Sequence, residues 1–172
     1  MNNATSNKGY SEMPADKLGM YVMDIQQPYL KKALATFSLS ARTIREQAGS
    51  NQETSALSAA LLELESLISL HLDMEEHVLF PYFRTIIAEK GYTSIADLPV
   101  PYGQISSAHL QITNLFKEIR TLSDDYTPPA GGSAALNLCY AQLFNFEQDM
   151  LKHFFLEEDI LFPKLFRSTR KN

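Results

Sequence analysis

One stretch of this chain occurs twice. His71-Leu-Asp-Met-Glu75-Glu76-His-Val-Leu79-Phe80-Pro81 and His153-Phe-Phe-Leu-Glu157-Glu158-Asp-Ile-Leu161-Phe162-Pro163 both read HxxxEExxLFP, and the copies start 82 residues apart with six of eleven positions identical and no gap. Chance is a poor source of such a match; a pair of related helices facing a common point is a good one. At about 100° per residue, Glu75 falls about 40° from His71, and Leu64, Leu67, Ile68, Val78 and Leu79 all lie within about 80° of it. The second copy repeats the arithmetic, with Cys139, Phe146, Met150, Ile160 and Leu161 around His153 and Glu157. Both pairs therefore point into a core. An unpaired buried carboxylate costs several kcal/mol, and here two would sit beside imidazoles. A metal ion removes that cost, and i, i+4 histidine and carboxylate donors are how bundle cores hold one or two ions.

A third histidine joins them. His109 shares an apolar stripe with Ile105, Ile112 and Phe116, so it also faces inward. His77 falls about 240° from His71 and is expected at the surface, while Glu76 and Glu158, at about 140°, are expected at the boundary or behind the ligands. The candidate metal set is His71, Glu75, His109, His153 and Glu157. Phe144, Phe154 and Phe155 are expected to serve packing, and Cys139 to be a small core residue.

The repeat sits within four amphipathic segments. The first spans about Asp16 to Gln47, with Val22, Met23, Leu30, Ala33, Phe37, Ala41 and Ile44 at helical spacing; Pro28 should kink it or mark its start. Ala48-Gly49-Ser50-Asn51 is a stop and turn. A second spans about Glu53 to Lys90, bent at Pro81 and capped at Gly91. The third covers about Tyr102 to Tyr126 and the fourth about Ser133 to Arg167. These predict an all-α, antiparallel up-down four-helix bundle over residues 15–168, with a poorly ordered N-terminus at 1–14 and a basic tail at 169–172.

Composition excludes several function classes. A net charge of −5, with no clustered basic residues, argues against nucleic acid or a membrane surface as partner. A single cysteine, Cys139, cannot supply a disulfide, a CxxC pair or an iron–sulfur cluster. No signal peptide and no run of 18 apolar residues is seen, so a cytoplasmic location is expected. There is no Ser/His/Asp set and no phosphate-binding glycine loop, hence no catalytic residues are assigned.

The two HxxxEExxLFP stretches, His109 within Ser107-Ala-His-Leu, and the Tyr126-Thr-Pro-Pro linker resemble the hemerythrin-like domain of the di-iron proteins that repair iron–sulfur clusters. The likeness is strong from His71 to Pro163 and weak before Leu57, and the small N-terminal domain that often precedes this one is expected to be absent. The resemblance implies His71, His109 and His153 as terminal iron ligands and Glu75 and Glu157 as bridging carboxylates. It also implies dioxygen, nitric oxide or peroxide as ligands at iron and iron–sulfur proteins as partners, in nitrosative or oxidative stress.

Two family histidines are missing. Where the family has His-His-x-Tyr-Leu, this chain has Gln26-Gln27-Pro28-Tyr29-Leu30, and near the second position it has Gln47-Ala48-Gly49. Gln26 either replaces the lost ligand or is a core amide bonded to Glu75 or Glu157. Three outcomes fit the depleted set: an open di-iron site, a single iron, or a metal-free bundle acting as an interaction or regulatory module.

Overall fold

The computed structural model describes residues 9–47, 51–89, 94 and 97–166. Its helices form four arms. The first arm is α1, residues 15–34, followed by α2, Phe37–Gln47; the second is α3, Gln52–Ala88; the third is α4, Tyr102–Leu122; the fourth is α5, residues 134–165. The first arm packs on α3 and α5, α3 also on α4, and α4 also on α5. The start of α1 meets the late turns of α3 and α5, as an antiparallel bundle requires. Gly19 permits that meeting, because a Cβ there would stand 2.9 Å from Ile87 Cδ1 of α3.

Prolines shape three of the arms. A proline inside an α-helix lacks a donor, and its ring collides with the carbonyl four residues back. Here each interior proline follows a π-helical turn: Val22–Gln26 before Pro28, Glu75–Leu79 before Pro81, and Leu156–Leu161 before Pro163. The wider turn moves the collision away and the helix continues. Pro28 consequently does not mark the start of the first arm, one of the two readings its sequence allowed; helix runs from Ala15 through it, and the interruption comes seven residues later, at the turn of Ala35 and Thr36. The same turns explain Val78, expected on the core face but 39% exposed, since a π turn advances by less than 100° per residue.

Local signals set the other ends. Asn51 caps α3 reciprocally: its Oδ1 accepts from the Thr54 amide at 2.8 Å, and Thr54 Oγ1 accepts from the Asn51 amide at 3.2 Å. Ser133 caps α5 through the Leu136 amide at 3.1 Å. Helix α4 stops at Leu122, short of the expected Tyr126, because Asp124, Asp125 and Tyr126 take left-handed backbone angles with φ of 48°, 54° and 61°. In the segment 9–14, Tyr10 packs against Tyr21. Residues 1–8, Ala48-Gly49-Ser50, the cap expected at Gly91 and the basic tail lie outside the described residues.

The core has two apolar parts. One joins α1, α2, α3, α4 and α5 around Leu61, Leu64, Ile68, Phe116 and Met150; the other gathers Leu18, Val22, Phe83, Leu156 and Phe162 at the opposite end. Burying each such large side chain stabilises the fold by roughly 1.5–3 kcal/mol. Between the two parts lie buried polar residues: Gln26, Gln27, His71, Glu75, His109, His153 and Glu157. By length and composition α3 could cross a membrane, but it packs on α1, α2 and α4 and carries two of these polar groups, His71 and Glu75, inward.

Candidate metal centre

The π turns that accommodate the prolines also place the polar layer. Gln26, Glu75 and Glu157 each sit in one of them. Along α1, the wide turn lets two consecutive residues face inward: Gln26 and Gln27 are only 6% and 3% exposed. Gln27 Nε2 donates to the Leu72 carbonyl at 2.7 Å, which ties α1 to α3 one residue after His71. No hydrophobic periodicity in the sequence marks Gln27, because its side chain is polar and gives no sign of which face it occupies.

All five expected residues converge, each no more than 4% exposed. One donor atom each from His71, Glu75, His153 and Glu157 lie within 4.8 Å of one another. His109 enters from α4, its Nε2 3.1 Å from His71 Nε2 and 3.6 Å from Glu157 Oε2. Glu75 Oε1 is 2.9 Å from His71 Nε2, and Glu75 Oε2 is 3.3 Å from His153 Nε2. Glu157 Oε1 lies 3.5 Å from His153 Nε2. Every imidazole thus turns its Nε2 edge inward, and each carboxylate spans two of the rings.

Outer groups hold two of the rings. His109 Nδ1–H donates to Glu158 Oε1 at 2.8 Å, which leaves its Nε2 bare and facing the centre. His153 Nδ1–H points to Gln26 Oε1 at 3.4 Å, so Gln26 approaches the outer edge of an imidazole rather than the inner donors. Phe154 is stacked on His109 with centroids 4.1 Å apart and stands edge-on to His71 at 5.6 Å. Its sequence position suggested packing alone; in the fold it fixes the planes of two candidate ligands. His77 is exposed as expected, with its Nδ1 2.9 Å from the Asp73 carbonyl.

Electrostatics divide the two carboxylates. Burial alone would push Glu75 up, but the imidazoles of His71 and His153 outweigh it and hold the carboxyl well below the usual range. Burial pushes Glu157 well above that range, and the negative charges of Glu75 and Glu158 add to the effect. Burial, reinforced by the nearby His71, lowers His109 to about 3, so this ring is neutral and its lone pair is available at physiological pH.

A cation fits this donor set on a direct observation. Both oxygens of Glu157 and Nδ1 of His71 are fully buried and lack a hydrogen-bond partner, and Glu75 Oε1, though 2.9 Å from His71 Nε2, lacks a well-directed one. Buried polar atoms are nearly always satisfied, and leaving several carboxylate oxygens bare at one point costs several kcal/mol. An ion among the inward-facing atoms would satisfy the three bare oxygens at once, with histidine and carboxylate donors of the type that non-haem iron takes. Among the described residues, two further buried oxygens lack a hydrogen-bond partner, Glu147 Oε2 and the Tyr126 hydroxyl, but there a cation is already present: Arg120 Nε stands 2.9 Å from Glu147.

Comparison with known proteins agrees in kind. Residues 21–165 match the family model described as the hemerythrin HHE cation binding domain. The iron-sulfur cluster repair protein YtfE of Edwardsiella ictaluri is 24% identical over 159 residues, covering 92% of this chain and 69% of that protein. The YtfE protein of Musicola paradisiaca is 30% identical over 111 residues, 64% of this chain and 47% of its own length. A probable iron-sulfur cluster repair protein of Haemophilus influenzae is 28% identical over 107 residues, 62% of this chain and 45% of its own length. The aligned stretch thus spans less than half of two of these relatives. The chain belongs to the hemerythrin HHE cation-binding family, an all-α domain that binds non-haem iron.

Proposed function

We propose that His71, Glu75, His109, His153 and Glu157 hold the iron, with Glu75 and Glu157 as bridging carboxylates, and that the protein serves iron–sulfur cluster repair or the response to nitrosative or oxidative stress in the cytoplasm. The observation that carries the ligand assignment is the set of bare carboxylate oxygens buried among three imidazoles. The repair role is supported by the names of the relatives.

The chain's own residues divide the work by position. His109, neutral and held by Glu158, offers a lone pair without first losing a proton. Glu75 is already ionised, whereas Glu157 must release its proton as a cation enters, so loading is favoured as pH rises. Phe154 and the apolar parts above and below keep bulk water from the donors. Iron bound there supplies redox chemistry and open coordination positions for dioxygen, nitric oxide or peroxide.

Metal analysis of protein purified without chelator tests the first half. One or two irons per chain, lost in a Glu75→Ala, Glu157→Ala double variant that keeps its helical circular dichroism, is the expected result; metal-free protein would sink it. For the second half, the iron-loaded protein is expected to restore activity to a nitric-oxide-damaged iron–sulfur enzyme, and the double variant is not. A metal-free module binding a protein partner is the second reading, and the observation that favours it is the loss of two ligand positions, with glutamine at position 26 and no histidine near Gln47-Ala48-Gly49.

A further inference from the structure

Three imidazoles cannot be shared evenly between two ions, and the coordinates show how they are divided. Each carboxylate sends its oxygens to opposite poles of the centre. Glu75 Oε1 and Glu157 Oε2 lie at the pole of His71 and His109, whose Nε2 atoms are 3.1 Å apart. Glu75 Oε2 and Glu157 Oε1 lie at the other pole, 3.3 and 3.5 Å from His153 Nε2. The first pole has two nitrogens and two oxygens; the second has one nitrogen and two oxygens.

The outer partners widen the difference. A carboxylate behind an imidazole raises its basicity and fixes its tautomer, and such partners are worth about 10–100-fold in metal affinity. His109 has one, Glu158, at the short distance of 2.8 Å. His153 has only the neutral amide of Gln26, at 3.4 Å, at the long end for a hydrogen bond. His71 has no partner at Nδ1, so the difference in donor strength rests on His109 alone and adds to the difference in donor count.

We propose that the centre holds two unlike divalent cations: a retained ion between His71 and His109, and an exchangeable ion at His153, with Gln26 as the positioning residue that keeps the second pole weak. This deepens the iron-site reading above and rests on it. The exchangeable ion is the one that this geometry can hand to an acceptor without dismantling the centre, because its loss leaves both nitrogens of the other pole in place.

The test loads metal-free protein with iron(II) alone under anaerobic conditions and follows release to a chromophoric chelator. The expected record has two phases of one ion each, with rates at least about tenfold apart. His153→Ala is expected to abolish the fast phase and keep the slow one; Glu158→Gln should speed the slow phase only. Gln26→Glu, which gives both poles a carboxylate behind an imidazole, should slow the fast phase toward the slow one. Helical circular dichroism of each variant separates loss of a ligand from loss of the fold, and the two conservative variants decide the matter if His153→Ala does not fold. Two ions released in a single phase, or a slow phase lost in folded His153→Ala, would overturn the division while leaving the iron site standing. No iron bound at all would overturn the iron site itself. A single bound ion would overturn the two-ion division while leaving the iron site standing.

Discussion

The two HxxxEExxLFP copies are nearly the same text placed in different surroundings. In α3, His71 and Glu75 lie 2.9 Å apart, His71 Nδ1 has no partner, and Glu76 turns to solvent where Lys31 binds it together with Asp73. In α5, His153 and Glu157 are 3.5 Å apart, His153 leans on Gln26, and Glu158 reaches His109. The ionisation of the inner carboxylates is opposite, Glu75 held low and Glu157 held high. A repeated motif thus sets which side chains turn inward, while neighbours from α1 and α4 decide what each copy does.

The largest test of that contrast removes the Glu75 charge. In metal-free protein at pH 7, Glu75→Gln leaves His71 and His153 without their shared anion and should cost about 3 kcal/mol, the scale of breaking a buried pair. At roughly 2–4 °C per kcal/mol, the melting temperature should fall by about 6–12 °C in a chelator-treated thermal scan. An equal loss in Glu157→Gln would break the contrast. Because Glu75 has a depressed folded pKa, its contribution is present above the unfolded carboxylate value of about 4.3 and is lost as pH falls through the folded value. The gap between wild type and Glu75→Gln should therefore close in acid.

The second carboxylates come next. Glu158→Gln should lower iron affinity by about 10–100-fold through His109, measured by competition with a chelator, while Glu76→Gln should leave it unchanged. Similar losses in both would mean that the outer hydrogen bond to His109 is irrelevant to binding.

A smaller effect of opposite sign is expected from Glu157→Gln in the metal-free protein. Glu157 has a raised folded pKa, so its stability contribution is full below about 4.3 and lost as pH rises through the folded value. The neutral amide escapes that loss, and the variant should melt a few degrees above wild type at pH 8 and level with it at pH 4. The smallest change is at Glu76→Gln, whose exposed pair with Lys31 is screened by water and salt; its melting temperature should stay within about 1 °C of wild type.

Much of this was legible in the residues. Ile105, Ile112, Phe116 and Ile119 on α4, and Leu136, Leu143, Phe146 and Met150 on α5, are buried as their spacing requires. The inward turn of the five histidine and glutamate residues follows from the same arithmetic. Where periodicity failed, it failed at the π turns. Val78 is exposed and the helix continues through Pro28, because both depend on a local widening that a fixed 100° step does not contain.

The amino-acid order alone determined the four arms, their apolar faces and the duplicated donor pairs, since burial and helical period are local properties of a strand of residues. Only the tertiary structure decided that Glu158 and not Glu76 backs a histidine, that Gln26 stands behind His153, and that two chemically identical carboxylates ionise in opposite senses. Those outcomes depend on distances between separate helices and on the charge already present at the centre. No position on a single helix carries that information.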